Sequence, residues 1–230
     1  MAAHGSPEAD IGAAASVYEC NIPMSETRRA FVNNDSQILF LPKEGRMELR
    51  TELGSFIVEP LEMALVPRGM MFQINNLDGK PASGYMLENY GHNLIQPELA
   101  VIGISTGLAH TRHFVAPTPK YDDIEGANYH IVRKYDGHFT TAESDYFPFD
   151  VVAYHGQYVP LKYDLRNFAP VNMVSHDHAD PSIGCVLTSP AGFPGVPNID
   201  FVIFPPRWVP MENTFRPPWF HRNPMSEFMG

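Results

Sequence analysis

Short apolar or alternating runs, each ended by glycine or proline, fill the chain between residues 36 and 90. No helical period separates them, and alternation of apolar with polar positions is typical of strands with one buried face. Regularly spaced short strands favour an antiparallel jelly roll. The pattern therefore predicts an all-β fold with six strands in this stretch, over residues 36–42, 46–52, 55–59, 62–66, 70–74 and 84–90.

The middle of the chain has a weaker strand pattern. Residues 96–123 are loop-rich, with Gly103, Gly107 and several prolines, and strand character resumes over residues 129–135. The aromatic stretch from residue 147 to residue 168 predicts a connection that packs across the surface of the first barrel.

A second β-rich unit is predicted from near Val171, with apolar runs at residues 184–188 and 200–204. A jelly roll needs about eight strands, so the remaining length predicts an incomplete second barrel. We therefore expect two domains, at residues 1–165 and 166–230.

Charge and composition exclude several classes of protein. The formal net charge is −10, and the longest basic cluster is the pair Arg28 and Arg29, which argues against nucleic-acid binding. No apolar run approaches the roughly 18 residues of a membrane span. The amino terminus has no basic and apolar segments of the signal-peptide type. Cys20 and Cys185 predict buried free thiols in a reducing compartment, and hence a cytoplasmic protein.

One imidazole and one carboxylate stand close together in a proline-stiffened aromatic segment, His221 and Glu227. Oxygenases that use iron(II) bind it with two imidazoles and one carboxylate on a single face. An even spacing places both side chains on the same face of a strand. The spacing equally fits a hydrogen-bonded core histidine and a solvated glutamate.

A second candidate is the segment with His176 and His178 flanked by Asp177 and Asp180. The residues fit a metal pair, an acid/base histidine held by a carboxylate, or a surface turn that ends in Asp-Pro. The residues alone leave all three interpretations open.

The first barrel carries no comparable set. Its corner at residues 66–69, Val-Pro-Arg-Gly, is followed by the apolar Met70, Met71 and Phe72 where a ligand would be needed. We expect core, loop or surface roles for its scattered histidines, which are His92, His110, His113, His130, His138 and His155.

Several long motifs, taken together, resemble the homogentisate 1,2-dioxygenase family. They are Pro-Phe-Asp-Val-Val-Ala-Tyr-His at 148–155, Asp-His-Ala-Asp-Pro-Ser-Ile at 177–183, Asp-Phe-Val-Ile-Phe-Pro-Pro-Arg-Trp at 200–208, and the segment 214–230, which includes Arg-Pro-Pro-Trp-Phe-His. The resemblance extends from about Asp10 to the last residue.

The resemblance implies a cupin-type bicupin with a metal-free N-terminal barrel and one iron ion, Fe(2+), in the second barrel. By motif position, the family's first iron-binding histidine falls on His221 and its glutamate on Glu227. The family's acid/base histidine falls on His178, and His176 is left as a turn residue. The second iron-binding histidine and a substrate-binding tyrosine fall beyond Gly230, so we expect a chain that stops before the site is complete.

The resemblance also implies the reaction, in which dioxygen opens the homogentisate ring to give maleylacetoacetate in tyrosine and phenylalanine catabolism. It implies a homo-oligomer of trimers paired into hexamers. Because two ligands hold iron weakly, we expect negligible turnover from the isolated chain. The competing hypotheses are an inactive shortened form that acts as a subunit-binding partner, and a cupin of a different function.

Overall fold

The computed structural model describes residues 2–97, 109–168, 184–192, 196–203 and 226–228. The strands are β1 (Ala2–Ser6), β2 (Ile11–Cys20), β3 (Arg29–Asn33), β4 (Gln37–Glu44), β5 (Met47–Thr51), β6 (Gly54–Val58), β7 (Glu62–Val66), β8 (Met71–Asn76), β9 (Ala82–Asn89), β10 (Phe114–Val115), β11 (Tyr129–Tyr135), β12 (His138–Ser144), β13 (Leu161–Asp164), β14 (Cys185–Pro190) and β15 (Pro197–Val202). Two short 3-10 helices lie at Thr111–His113 and Leu165–Asn167. Neither these nor any other helix in the described ranges could cross a membrane.

The strands form two large sheets and one separate hairpin. Sheet A has seven strands in the order β1-β2-β9-β4-β7-β13-β10, and sheet B has six in the order β12-β11-β3-β8-β5-β6. Strands β14 and β15 pair with each other. Pairing is antiparallel except between β3 and β11. Both large sheets end in edge strands, so neither closes on itself within the described residues.

The main core lies between the two sheets. Phe40 from sheet A meets Phe72 from sheet B edge-on, with ring centres 5.6 Å apart. Met47, Leu49 and Val58 are fully buried in the same cluster. Complete burial of such a side chain contributes about 1.5–3 kcal/mol, so this layer contributes substantially to the stability of the sandwich.

The central strand β7 of sheet A is buried on both faces. All five residues of β7 are buried, which explains why this strand is a nearly continuous apolar run in the sequence. Leu39 and Leu65 point away from the core between the sheets and pack with Val186 and Leu187 of the β14–β15 hairpin. The described strands of the second predicted unit thus share a core with the first.

The outer face of sheet B is covered by the chain that follows it. Phe147 and Phe149 pack edge-on against Tyr129 of β11, together with Ala30 and Val32 of β3. This layer forms a third apolar cluster on the side opposite the hairpin.

The all-β prediction is confirmed, and each of the six strands predicted between residues 36 and 90 has a counterpart, β4 to β9. The stretch 147–168 is more than a connection, because it contains β13, which pairs with β7 inside sheet A. The described part of residues 166–230 contains one hairpin, and the domain boundary at 165 and 166 stays a prediction. Cys20 and Cys185 are unpaired, as predicted, with Cys185 buried and Cys20 half-buried.

Candidate functional site

Two of the three predicted site residues lie outside the described residues. These are His178, the predicted acid/base residue, and His221, the predicted iron ligand; His176 lies outside them as well. Glu227, the predicted carboxylate ligand, is described and exposed. The predicted convergence of these side chains therefore stays a prediction.

The segment with Glu227 lies against the outer face of sheet A. The ring of Phe228 meets the ring of Tyr85 edge-on, with ring centres 5.6 Å apart. Tyr85 follows Gly84 and precedes Met86, which packs in the core between the sheets, so alternation along β9 turns Tyr85 outward. The ammonium group of Lys43 lies 6.0 Å from the centre of the same ring. The predicted carboxylate ligand is thus held next to the N-terminal sandwich.

The β14–β15 hairpin lies on this same face of sheet A. Val186 and Leu187 are buried against Leu39, and Ile95 exchanges two backbone hydrogen bonds of 2.8 Å with Thr188. The pieces of residues 166–230 that the structure describes therefore share one supporting surface.

Side-chain hydrogen bonds set the orientation of the hairpin. Asn198 on β15 accepts from the Gly12 backbone N–H through Oδ1 at 2.7 Å and donates through Nδ2 to the Gly12 carbonyl at 3.1 Å. Its Nδ2 also donates to Asn89 Oδ1 at 3.0 Å. The hydroxyl of Ser189 donates to the His92 carbonyl at 2.6 Å. These directional contacts fix the position and orientation of the hairpin on β2 and β9.

The thiol of Cys185 is unsuited to nucleophilic or redox chemistry. Burial raises its pKa to about 12, with a further contribution from Asp200, whose carboxylate lies 3.9 Å from Sγ. The reactive form of cysteine is the thiolate, so the group stays protonated and acts as a small apolar side chain.

The corner after β7 serves packing. Met70 and Phe72 lie in the core between the sheets. Arg68 turns outward, and its Nη1 donates to Asp10 at 2.8 Å. Within the described residues, no three histidine, cysteine, aspartate or glutamate side chains come together to hold a metal.

Two of the described histidines make local polar contacts. His110 caps the first 3-10 helix by accepting from the Arg112 backbone N–H through Nδ1 at 3.2 Å. His130 lies on β11 with Nδ1 3.9 Å from the Glu143 carboxylate across the hairpin. These contacts are of the loop and surface kind that the sequence predicted.

A polar cleft on the outer face of sheet B was missed by sequence reasoning. Arg50 lies on β5, where apolar and polar residues alternate, and its side chain is only 5% exposed. It lies in a cavity of about 290 Å³ between sheet B and the segment 124–127. The ring of Phe147 lies 4.7 Å from the guanidinium carbon. The sequence feature that points to this cleft is the aromatic stretch after residue 146, because it supplies the residues that cover Arg50.

Comparisons with family models and with known proteins give matches over the whole chain. A model described as homogentisate 1,2-dioxygenase N-terminal matches residues 1–165, and a second, described as homogentisate 1,2-dioxygenase C-terminal, matches residues 166–230. Two relatives named homogentisate 1,2-dioxygenase, from Pseudomonas putida strains KT2440 and F1, are each 50% identical to the chain. Both alignments cover 100% of this chain and 52% of the relative, so the chain spans about half the length of the relatives it matches.

Similarity to solved structures is limited. The Schizosaccharomyces pombe Cnp3 cupin domain matches with a TM-score of 0.30 and 16% identity, over 38% of this chain and 58% of that one. Fatty-acid-bound ToxT from Vibrio cholerae matches with a TM-score of 0.28 and 19% identity, over 34% and 29%.

Proposed function

The chain belongs to the homogentisate 1,2-dioxygenase family, and from this we propose that it serves the cleavage of the homogentisate ring by dioxygen, giving maleylacetoacetate. The observation that carries the proposal is the 50% identity to homogentisate 1,2-dioxygenases over all 230 residues. Similarity of this extent favours the dioxygenase over an inactive subunit-binding partner and over a cupin of different function.

The donor chemistry in the second unit fits iron(II). The imidazole of His221 and the carboxylate of Glu227 would supply two of the three donors of the set that non-haem oxygenases use. Fe(2+), when bound, supplies electron transfer between the aromatic ring and dioxygen. Glu227 suits this role because a carboxylate oxygen is one of the donors of that set.

His178 is proposed to move the proton of a ring hydroxyl. A neutral imidazole accepts a proton near neutral pH and returns it in a later step. Asp177 and Asp180 lie next to it in the sequence, and either carboxylate would orient the ring by accepting its second N–H. His178 therefore acts on the substrate and takes no part in holding iron.

The N-terminal sandwich is proposed to be the support of this chemistry. Both the β14–β15 hairpin and the segment with Glu227 lie on the outer face of sheet A. A sheet keeps the side chains attached to it in place better than a loop does.

The proposed partners are homogentisate and dioxygen as substrates and further copies of the chain, as a homo-oligomer of trimers paired into hexamers. We also propose a cytoplasmic location. Support for the location comes from Cys20 and Cys185, whose unpaired thiols are typical of a reducing compartment.

Oxygen uptake tests the proposed reaction. The protein expressed from its complete coding sequence is loaded with iron(II), and oxygen consumption is followed with homogentisate, with phenylacetate, which lacks both ring hydroxyls, as the control. We expect oxygen to be consumed with homogentisate but not with phenylacetate. This consumption should stop when a chelator removes the iron. Absence of homogentisate-dependent uptake in the iron-loaded protein contradicts the proposal.

A further inference from the structure

Strand β12 forms an open edge of sheet B. It is the outermost strand of that sheet, and within the described residues only β11 pairs with it. Five of its seven residues are exposed, and they lie on both faces of the strand. Its pairs with β11 run from one end to the other without a bulge, so the strand is straight and fully extended. An edge of this kind offers unpaired backbone N–H and C=O groups to another strand.

The turn between β11 and β12 is held firmly. Asp136 and Gly137 have φ angles of 47° and 71°, as a two-residue turn of type I′ requires. The backbone N–H groups of both residues donate to the carboxylate of Asp35, at 2.6 and 2.9 Å. The position of β12 at the edge is therefore fixed from one end.

The turn also decides which backbone groups of β12 are free. A two-residue turn makes the residues that flank it, Tyr135 and His138, a hydrogen-bonded pair. Hydrogen-bonded pairs alternate with non-bonded pairs along an antiparallel ladder. The N–H and C=O groups of Phe139, Thr141 and Glu143 consequently point away from β11, toward the open side.

The other edges of the two sheets are short or covered. Thr118 exchanges two backbone hydrogen bonds, of 3.0 and 3.1 Å, with Ser55 on β6. At the edges of sheet A, β10 has two residues, and β1 has five, whose only apolar side chains are those of two alanines. By contrast, β12 is long and contains neither lysine nor proline, which are the residues that commonly keep an edge strand from pairing.

An exposed aromatic side chain lies beside this edge. Phe139 is 66% exposed, and its ring centre lies 6.4 Å from that of Phe31 on β3. A strand placed next to β12 would cover part of this ring. The edge thus combines free backbone groups with apolar surface, as a contact between two strands requires.

The sequence of β12 is suited to antiparallel pairing with itself. In the register that pairs the whole strand, Thr141 of one copy faces Thr141 of the other, and Phe139 faces Glu143. All the free backbone groups meet their partners in this register. Thr–Thr pairs are favourable across strands, and no like charges stand opposite each other.

We propose that β12 pairs with β12 of a second copy of the chain, so that the B sheets of the two copies join into one. The contact is two-fold symmetric, because the same residues of both copies meet. It gives the proposed homo-oligomer a specific contact surface, and the proposed reaction does not depend on it.

The number of chains in the assembly tests this contact. The protein expressed from its complete coding sequence is measured by light scattering after size-exclusion chromatography, and we expect an even number of copies. Thr141→Lys should halve that number, because two lysines then face each other across the symmetry axis. The side chain of Thr141 is exposed, so the substitution does not disturb the core. Val115→Lys, at an exposed position on the edge of sheet A, is the control and should leave the number unchanged.

A mixture of two variants tests the register. Thr141→Glu alone should halve the number of copies, as Thr141→Lys does. When the two variants are mixed, opposite charges face each other, and the number found for the wild type should return. This return also shows that both variants are folded.

Three results overturn the proposal. They are a single copy or an odd number of copies for the wild type, an unchanged number for Thr141→Lys, and a mixture that stays at half the wild-type number. Oxygen uptake is measured separately, so an even-numbered wild type without uptake contradicts the proposed reaction and leaves the β12 contact standing.

Discussion

At the scale of single residues, the second unit contains side chains with contrasting chemical roles. Cys185 is buried, and a pKa of about 12 keeps its thiol protonated. Histidine imidazoles, in contrast, change protonation near neutral pH and bind iron in their neutral form. The chemistry proposed for this unit therefore belongs to its histidines and to Glu227 rather than to its cysteine.

The proposed roles of the histidines predict different effects of substitution. His221→Ala should lower both iron content and oxygen uptake, because it removes a ligand. His178→Ala should retain iron while lowering turnover by about 10²–10⁴-fold, the usual contribution of a general acid/base. Iron per protein by mass spectrometry and homogentisate-dependent oxygen uptake measure the two effects.

His176→Ala is the matched control, since His176 has no role in the proposed chemistry and its substitution should affect neither iron content nor turnover. Loss of iron from His178→Ala would show that the acid/base role of His178 is assigned wrongly.

At the scale of elements, the β14–β15 hairpin depends on sheet A. An isolated two-stranded hairpin is marginally stable in water. Here Val186 and Leu187 are buried against sheet A, and Asn198 bonds both backbone groups of Gly12. The position of the hairpin, and of any site built on it, is set by these contacts.

Asn198→Ala should therefore lower the free energy of unfolding by about 1–3 kcal/mol, because it leaves partly buried backbone and amide groups without partners. Urea unfolding followed by circular dichroism measures the change. Asn93→Ala, at an exposed loop position, is the control and should leave the midpoint unchanged. Equal midpoints for the two variants would show that the hydrogen bonds of Asn198 add nothing to the stability of the protein.

At the scale of the whole molecule, an ion pair joins the two sheets. Lys134 on β11 of sheet B bonds Glu88 on β9 of sheet A, and their side chains are 13% and 9% exposed. Ser36 lies 3.5 Å from the same carboxylate, and the ring of Tyr90 lies 5.9 Å from the ammonium group. Burial makes each charge costly without the other.

Lys134→Met should consequently destabilise the protein by about 3–5 kcal/mol, since it leaves the Glu88 carboxylate buried without its counter-ion. The double variant Lys134→Met with Glu88→Gln should recover part of this loss. Thermal and urea unfolding give both values. Asp78→Asn, which breaks an exposed ion pair with Arg46, is the control and should have no measurable effect. If Lys134→Met is as stable as the wild type, the ion pair adds nothing to the stability of the contact between the two sheets.

The strands that the sequence predicted are those with a strong local pattern. Residues 62–66 are an apolar run between Pro60 and Pro67, and β7 spans these residues. The missed strands lack such a pattern. β2 contains the small residues Gly12 to Ser16, and its extended form depends on eight pairs with β9. β13 is four residues long and is defined by its pairing with β7, almost a hundred residues away.

The sequence by itself determined the all-β class, the family and the residues proposed to hold iron, because these follow from local periodicity and from the order of motifs along the chain. Only the tertiary structure decided that Arg50 is buried and that Asn198 bonds Gly12. Both facts depend on residues distant in sequence: Arg50 meets Asp122 from 72 positions away, and Gly12 is 186 positions from Asn198. A charged residue in an alternating strand faces water unless another segment covers it, and only folding supplies that segment.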